Sequence, residues 1–158
     1  MRAVVTCLLA LALTACASVP AEPGLPGLPG TQTPAAQATN HNDCAVIAAV
    51  AKGHYQFGPN NVPPPLWLFS EDGDWSPHCD WSRYGVSFPT TYDPNRPHQP
   101  GDRVQWVQFH KPVYDSRGAT IEAGILHGPL AGMGVRCRVV SGIAGWTLAG
   151  QCENTWIS

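Results

Sequence analysis

Charge is scarce in this 158-residue chain. Charged side chains make up 13% of it, and nine Lys and Arg stand against eleven Asp and Glu, for a formal net charge of −2. No surplus of positive charge is available to neutralise phosphates, which excludes a nucleic-acid binder of the usual electrostatic kind. Long apolar runs are missing too. The longest, over residues 3–13 and interrupted only by Thr6 and Cys7, is about eleven residues, well short of the roughly 20 a membrane-spanning helix needs. No Trp, Tyr or Phe occurs before His41, so the opening quarter has nothing large to build a core from. Gly and Pro, by contrast, number sixteen each, which argues against long helices and coiled coils. Six Trp in the remainder argue against a disordered chain.

The opening residues have the composition of an address. Arg2 supplies a short positive start, the apolar run follows, and small residues come at Thr14 and Ala15. Leu13-Thr14-Ala15-Cys16 at the end of the run resembles the lipobox of bacterial lipoproteins. That resemblance implies cleavage before Cys16, a diacylglyceryl group on its sulfur and acylation of the new amine. Residues 1–15 are then a lipoprotein signal peptide. Several acyl chains, at about 0.8 kcal/mol per buried CH₂, hold a protein stably on a membrane. Ala17 after the lipidated cysteine, with no Asp there, is similar to the outer-membrane-sorted class. The expected location is the outer membrane, anchored by lipid such as palmitate, with the folded part in the periplasm.

Residues 16–40 are the expected tether, a Pro- and Gly-rich stretch with Glu22 its only charge. In polyproline geometry, at about 3.1 Å per residue, it reaches on the order of 70 Å. The folded domain is expected over residues 41–158. Asn40 to Asp43 offer several N-cap side chains. Cys44, Ile47, Ala48, Ala51 and Tyr55 then share one stripe at helical spacing, which predicts a helix over 44–55 ended by Gly58-Pro59. Across residues 59–100 the periodicity disappears. Pro63-Pro64-Pro65 opposes regular pairing and Glu71-Asp72-Gly73-Asp74 has turn chemistry, so a long irregular Trp- and Pro-rich loop is expected.

Strand patterns fill the rest. Residues 104–109 are β-rich, with a bulge expected at Trp106-Val107. Residues 119–126 alternate with Ala119, Ile121, Ala123 and Ile125 on one face. Residues 135–139 place Cys137 with two valines and turn Arg136 and Arg138 outward. Residues 146–148 form a return strand and 155–157 a last short one, completing a meander. The predicted class is therefore α+β, one N-terminal helix packed on a small antiparallel sheet and tied by disulfides. The layout is similar to cystatin-like and nuclear-transport-factor-like domains at the level of fold alone. Gly128-Pro129-Leu130-Ala131-Gly132-Met133-Gly134, Gly145-Trp146 and Trp156-Ile157-Ser158 also resemble a pattern in small exported bacterial proteins. That pattern carries no assigned activity, and it implies a fold rather than a function.

Cys44, Cys79, Cys137 and Cys152 would remain after processing, in an oxidising compartment where an even number reads as two disulfides. Cys137–Cys152, tying the last hairpin, and Cys44–Cys79, pinning the loop to the helix, form the favoured pairing. The alternative is a thiol hydrolase or transferase using Cys44, at a helix start that lowers a thiol pKa, with His127 and Asn154 in the order of papain-like proteases. Cys44 lacks the residues that flank such nucleophiles. Asp72, Asp74, His78, Cys79 and Asp80 cluster without zinc or calcium spacing, so no metal or cofactor is expected. Gly128 to Gly134 lacks the Lys-Ser or Lys-Thr of a phosphate loop and reads as a hairpin turn. Trp67, Trp75 and Trp81 remain as the candidate ligand face, for an envelope protein, a peptide or a glycan. The expected role is a non-enzymatic binding or scaffold module of the envelope.

Overall fold

The computed structural model describes residues 34–73 and 75–158. The expected signal peptide, the expected lipidation site Cys16 and most of the expected tether lie outside the described residues. Helix α1 (Pro34–Gly53) precedes seven strands: β1 (Leu66–Phe69), β2 (Trp106–His110), β3 (Val113–Asp115), β4 (Gly118–Gly128), β5 (Ala131–Gly142), β6 (Gly145–Leu148) and β7 (Glu153–Ile157). None of the described helices is long and apolar enough to cross a membrane.

The class is α+β, but the sheet is larger than expected and mixed rather than antiparallel. Its strands run in the order β1-β2-β4-β5-β6, with β3 on β4 and β7 on β5. The expected irregular loop contributes its own strand, since β1 pairs parallel with β2, Leu66 beside Val107 and Phe69 beside His110. Two parallel strands cannot be joined by a tight turn, so the chain must travel a long way between them. The length of the segment between β1 and β2 is thus a consequence of strand direction.

Helix α1 also starts earlier than the capping pattern suggested, which places Asn40 to Asp43 inside it rather than at its edge. Val46, Ile47, Ala48, Val50 and Ala51 are all buried, more than one stripe of the helix. Burial on both sides has a cause. The sheet covers one side through Val107, Phe109, Ile121, Val135 and Val139, while Trp75, Trp81 and Phe88 of the crossover pack against the same core. The helix ends at Gly53, and Gln56 in a left-handed conformation (φ 57°) turns the chain away.

The hairpin β4–β5 forms the centre of the sheet, turning at Pro129-Leu130 between the paired Gly128 and Ala131. Along β2 burial alternates without interruption, so the expected bulge at Trp106-Val107 is absent. Irregularities fall instead between Leu126 and Gly128 and between Gly134 and Val135. The last two strands do not complete a meander. Both run antiparallel along β5, β6 on Val139–Gly142 and β7 on Met133–Arg136. They are two parts of one broken strand, and Cys152 at the break is bonded to Cys137.

Beneath Trp156 the outer face of the sheet is paved with glycine. A Cβ at Gly134 would run into the indole, and one at Gly132 would lie 3.0 Å from its Cζ3. Ser158 and Gly132 complete the seat with paired backbone hydrogen bonds. Gly132-Met133-Gly134 and Trp156-Ile157-Ser158, far apart in the sequence pattern, are two halves of one packing unit.

Candidate functional site

The three tryptophans singled out in the sequence line one cleft. It lies at the edge of β1, has a volume of about 750 Å³, and is bounded by Trp67, Trp75, Trp81, Tyr92, His78 and Asp80. Each ring arrives by a different route. Trp67 alternates outward from β1 between the inward Leu66 and Leu68, and its ring meets Tyr92 at 5.5 Å. The Thr90–Tyr92 stretch is held there because Leu66 N–H donates to Thr90 O and Tyr92 N–H donates to Leu66 O. Trp81 opens a short 3-10 turn (Trp81–Tyr84) and lies edge-to-face on Phe88, 5.0 Å away. Lys52 Nζ donates to Tyr84 O at 2.9 Å, tying that turn to the helix.

Trp75 is held by a buried carboxylate. Asp43, 1% exposed, accepts from Trp75 Nε1 at 2.7 Å and from the Tyr114 hydroxyl at 2.5 Å, one bond to each carboxylate oxygen. A buried charge needs such partners to be tolerated. Burial first, then the hydrogen bond to Asp43 and its charge, push the Tyr114 phenol well above its usual range. Tyr114 therefore stays a neutral donor. The arrangement clamps helix, crossover and β3 together. Trp75 and Trp81 thus serve the cleft and the core at once, whereas Trp67 serves the surface.

Both favoured disulfides are present, Cys44–Cys79 and Cys137–Cys152. Cys44, the nucleophile of the enzyme reading, is buried with its sulfur bonded to Cys79. His127 sits exposed near the end of β4 and Asn154 exposed in β7 opposite Val135. No hydrogen bond or ring contact among the described residues joins either to Cys44. Asp74 lies outside the described residues. Of its cluster, Cys79 is in the disulfide and Asp80 Oδ1 accepts from Ser82 Oγ at 2.6 Å. Among the described residues no group of three His, Cys, Asp or Glu is arranged to hold a metal ion.

Sequence reasoning passed over Tyr92 within the loop, and Trp106 and Trp156, which carry the aromatic surface on beyond it. The signal was present in the alternation of Trp106-Val107-Gln108-Phe109-His110, whose even positions share a face opposite the buried Val107 and Phe109. No protein-family model matches the chain, and no curated protein or solved structure matches it either.

Proposed function

We propose that this protein is a bacterial lipoprotein, anchored in the outer membrane through acyl chains on Cys16, whose domain is a non-enzymatic binding or scaffold module in the periplasm. The lipobox Leu13-Thr14-Ala15-Cys16 supports the anchor. One observation carries the binding role: Trp67, Trp75 and Trp81 converge on one open cleft with Tyr92, His78 and Asp80 around them. Indole and phenol rings combine apolar area with a polar edge at little cost in side-chain freedom, which suits them to ligand contact. The Cys44–Cys79 bond fixes the segment that carries two of these rings, so the cleft is shaped before a ligand arrives.

The test is recovery of an envelope partner by the full chain, compared with Trp67→Ala and Trp81→Ala. Both variants should lose most of the recovered partner while keeping the far-UV signal of the wild type. Undiminished recovery by folded variants overturns the cleft. The anchor is tested separately, because Cys16→Ser should abolish incorporation of labelled palmitate and release the protein from the membrane fraction.

A further inference from the structure

We infer that the cleft at the edge of β1 binds an organic cation, a methylated ammonium group on a small free molecule, among Trp67, Trp75, Trp81 and Tyr92. This rests on the binding role proposed above and deepens it, because it names the ligand class of the same cleft.

The charge of the cleft is one-sided. Asp80 is the one carboxylate in its lining, and no Lys or Arg lines it, the imidazole of His78 being its only basic group. The arginines nearest in the chain open elsewhere. Arg83 lines the groove between the helix and β6, and Arg96 lines the hollow beside His98. Asp80 accepts from Ser82 Oγ, a neutral donor, and forms no ion pair among the described residues.

A second negative charge stands behind the rings. Trp75 lines the cleft while its Nε1 donates to Asp43, which does not line it. The other partner of Asp43 is the neutral Tyr114 phenol, so no cation cancels this charge either. A carboxylate at the N–H edge of an indole makes the ring more electron-rich and strengthens the attraction of its face for a positive charge. Trp67, Trp75, Trp81 and Tyr92 are each partly buried, so each keeps part of its surface open to the cleft. Trp67 and Tyr92 meet at 5.5 Å with their planes tilted by 47°, two walls of a corner. Trp81 is held by Phe88 and Trp75 by Asp43, so these rings are set before a ligand arrives.

Charge and hydration decide among ligands. An anion finds no Lys or Arg to pair with, and a neutral ligand leaves the negative charge unanswered. A primary ammonium is strongly hydrated and asks for an acceptor for each of its three N–H groups. A methylated ammonium spreads its charge over an apolar surface, sheds water readily, and needs only aromatic faces and a nearby carboxylate. The cleft supplies those two things.

The full chain is titrated with choline, following tryptophan fluorescence and heat. Choline should bind with a Kd below about 1 mM. Its uncharged isostere dimethylbutanol, in which carbon replaces the nitrogen, should bind about tenfold more weakly or worse, since shape is kept and charge is lost. Trp67→Leu, which keeps an apolar side chain without an aromatic face, should weaken choline on the order of tenfold. Asp80→Asn keeps an acceptor for Ser82 Oγ and should weaken it about threefold. Glycine betaine and glycerophosphocholine should bind more weakly than choline, because their anionic groups find no Lys or Arg. The inference is overturned if choline does not bind, if the isostere binds as well as choline, or if folded Trp67→Leu and Asp80→Asn both bind normally. Tighter binding of glycerophosphocholine than of choline makes a lipid headgroup the ligand and overturns the free cation. Failure of choline to bind, with partner recovery still lost in Trp67→Ala and Trp81→Ala, overturns the cation and leaves the cleft standing. Failure of choline together with undiminished recovery in those variants overturns both.

Discussion

The two faces of the sheet are built from the same strands by opposite rules. On the inner face β2 places Val107 and Phe109, β4 places Ile121 and Ala123, and β5 places Val135 and Val139, all buried beneath the helix. One residue along, the same strands present Trp106, Gln108 and His110, then Glu122 and Gly124, then Gly134 and Arg136, none covered by the helix. The inner face is apolar, closed and held by two disulfides. The outer face carries ion pairs and aromatic rings, one of them seated on glycine. A strand's period of two lets one short sequence meet both demands, because neighbouring residues never share a face. Three of the six tryptophans, Trp67, Trp106 and Trp156, stand on the outer face, while Trp75, Trp81 and Trp146 pack against the core.

The comparison is sharpest within β2, where Phe109 and Trp106 are close neighbours on opposite faces. Phe109→Ala should cost about 3–5 kcal/mol, as for a large side chain removed from a closed core. Trp106→Ala removes the bigger ring but should cost less, about 2 kcal/mol, because that ring is only partly buried whereas Phe109 is fully enclosed. Urea denaturation of both variants gives the ratio. Equal losses would mean that the outer rings are a second core, and the division of labour between the faces would fail.

The disulfides come next in size. Replacing Cys44 and Cys79 together by Ser opens a loop with a sequence separation of 35. The same change at Cys137 and Cys152 opens one of 15. In the chain-entropy account each should cost about 3–4 kcal/mol, the longer loop slightly more. The two losses should differ in kind as well. Without Cys44–Cys79 the crossover holding Trp75 and Trp81 should open before the sheet melts, seen as early proteolysis between β1 and β2. Without Cys137–Cys152 the broken strand β6–β7 should fray, with Trp156 emission shifting to the red.

These loops also mark what the sequence disclosed. Cysteine spacing made both bonds legible, since one pairing ties a hairpin and the other ties a helix to a long loop. The alternation of Ala119, Ile121, Ala123 and Ile125 made β4 legible, and that of Val135, Cys137 and Val139 made β5 legible. Strand β1 was hidden. Four residues behind three prolines carry too short a pattern, and a parallel partner about forty positions away leaves no local trace. The helix start was obscured because cap-forming side chains at Asn40, Asn42 and Asp43 can equally stand within a helix, and Asp43 is satisfied by Trp75 and Tyr114 instead of by its own backbone. The cleft was visible only as three tryptophans. Which of them also support the core depends on contacts with Asp43 and Phe88, far away in the chain.

A smaller effect tests the seat of Trp156. Gly134→Ala places a methyl where the indole lies, and overpacking of this kind should cost about 1–3 kcal/mol. On the outer face the ring can leave, so the variant should keep its fold and show a red-shifted, more quenchable tryptophan. A change at Ala123, paired with Phe109 across the strands on the inner face, has no such exit. Ala123→Val should therefore be the more damaging of the two, and the reverse order would show that the outer face is the less tolerant.

The smallest effect concerns alkaline pH and belongs to the inner side. Burial raises the Tyr55 phenol, and burial together with Asp43 raises that of Tyr114. A phenol whose pKa is higher folded than unfolded holds its proton more tightly in the native state. Its contribution is complete below the unfolded value of about 10 and is lost as pH rises through and beyond it. Between pH 8 and 10.5 each group should remove about 0.5 kcal/mol of stability, after allowance for partial exposure. Tyr114→Phe should be less stable at pH 8, because Asp43 loses a donor, yet should decline less on the way to pH 10.5. Urea midpoints at the two pH values separate those changes, and parallel declines in variant and wild type would show that the phenol is not held as the Asp43 contact requires.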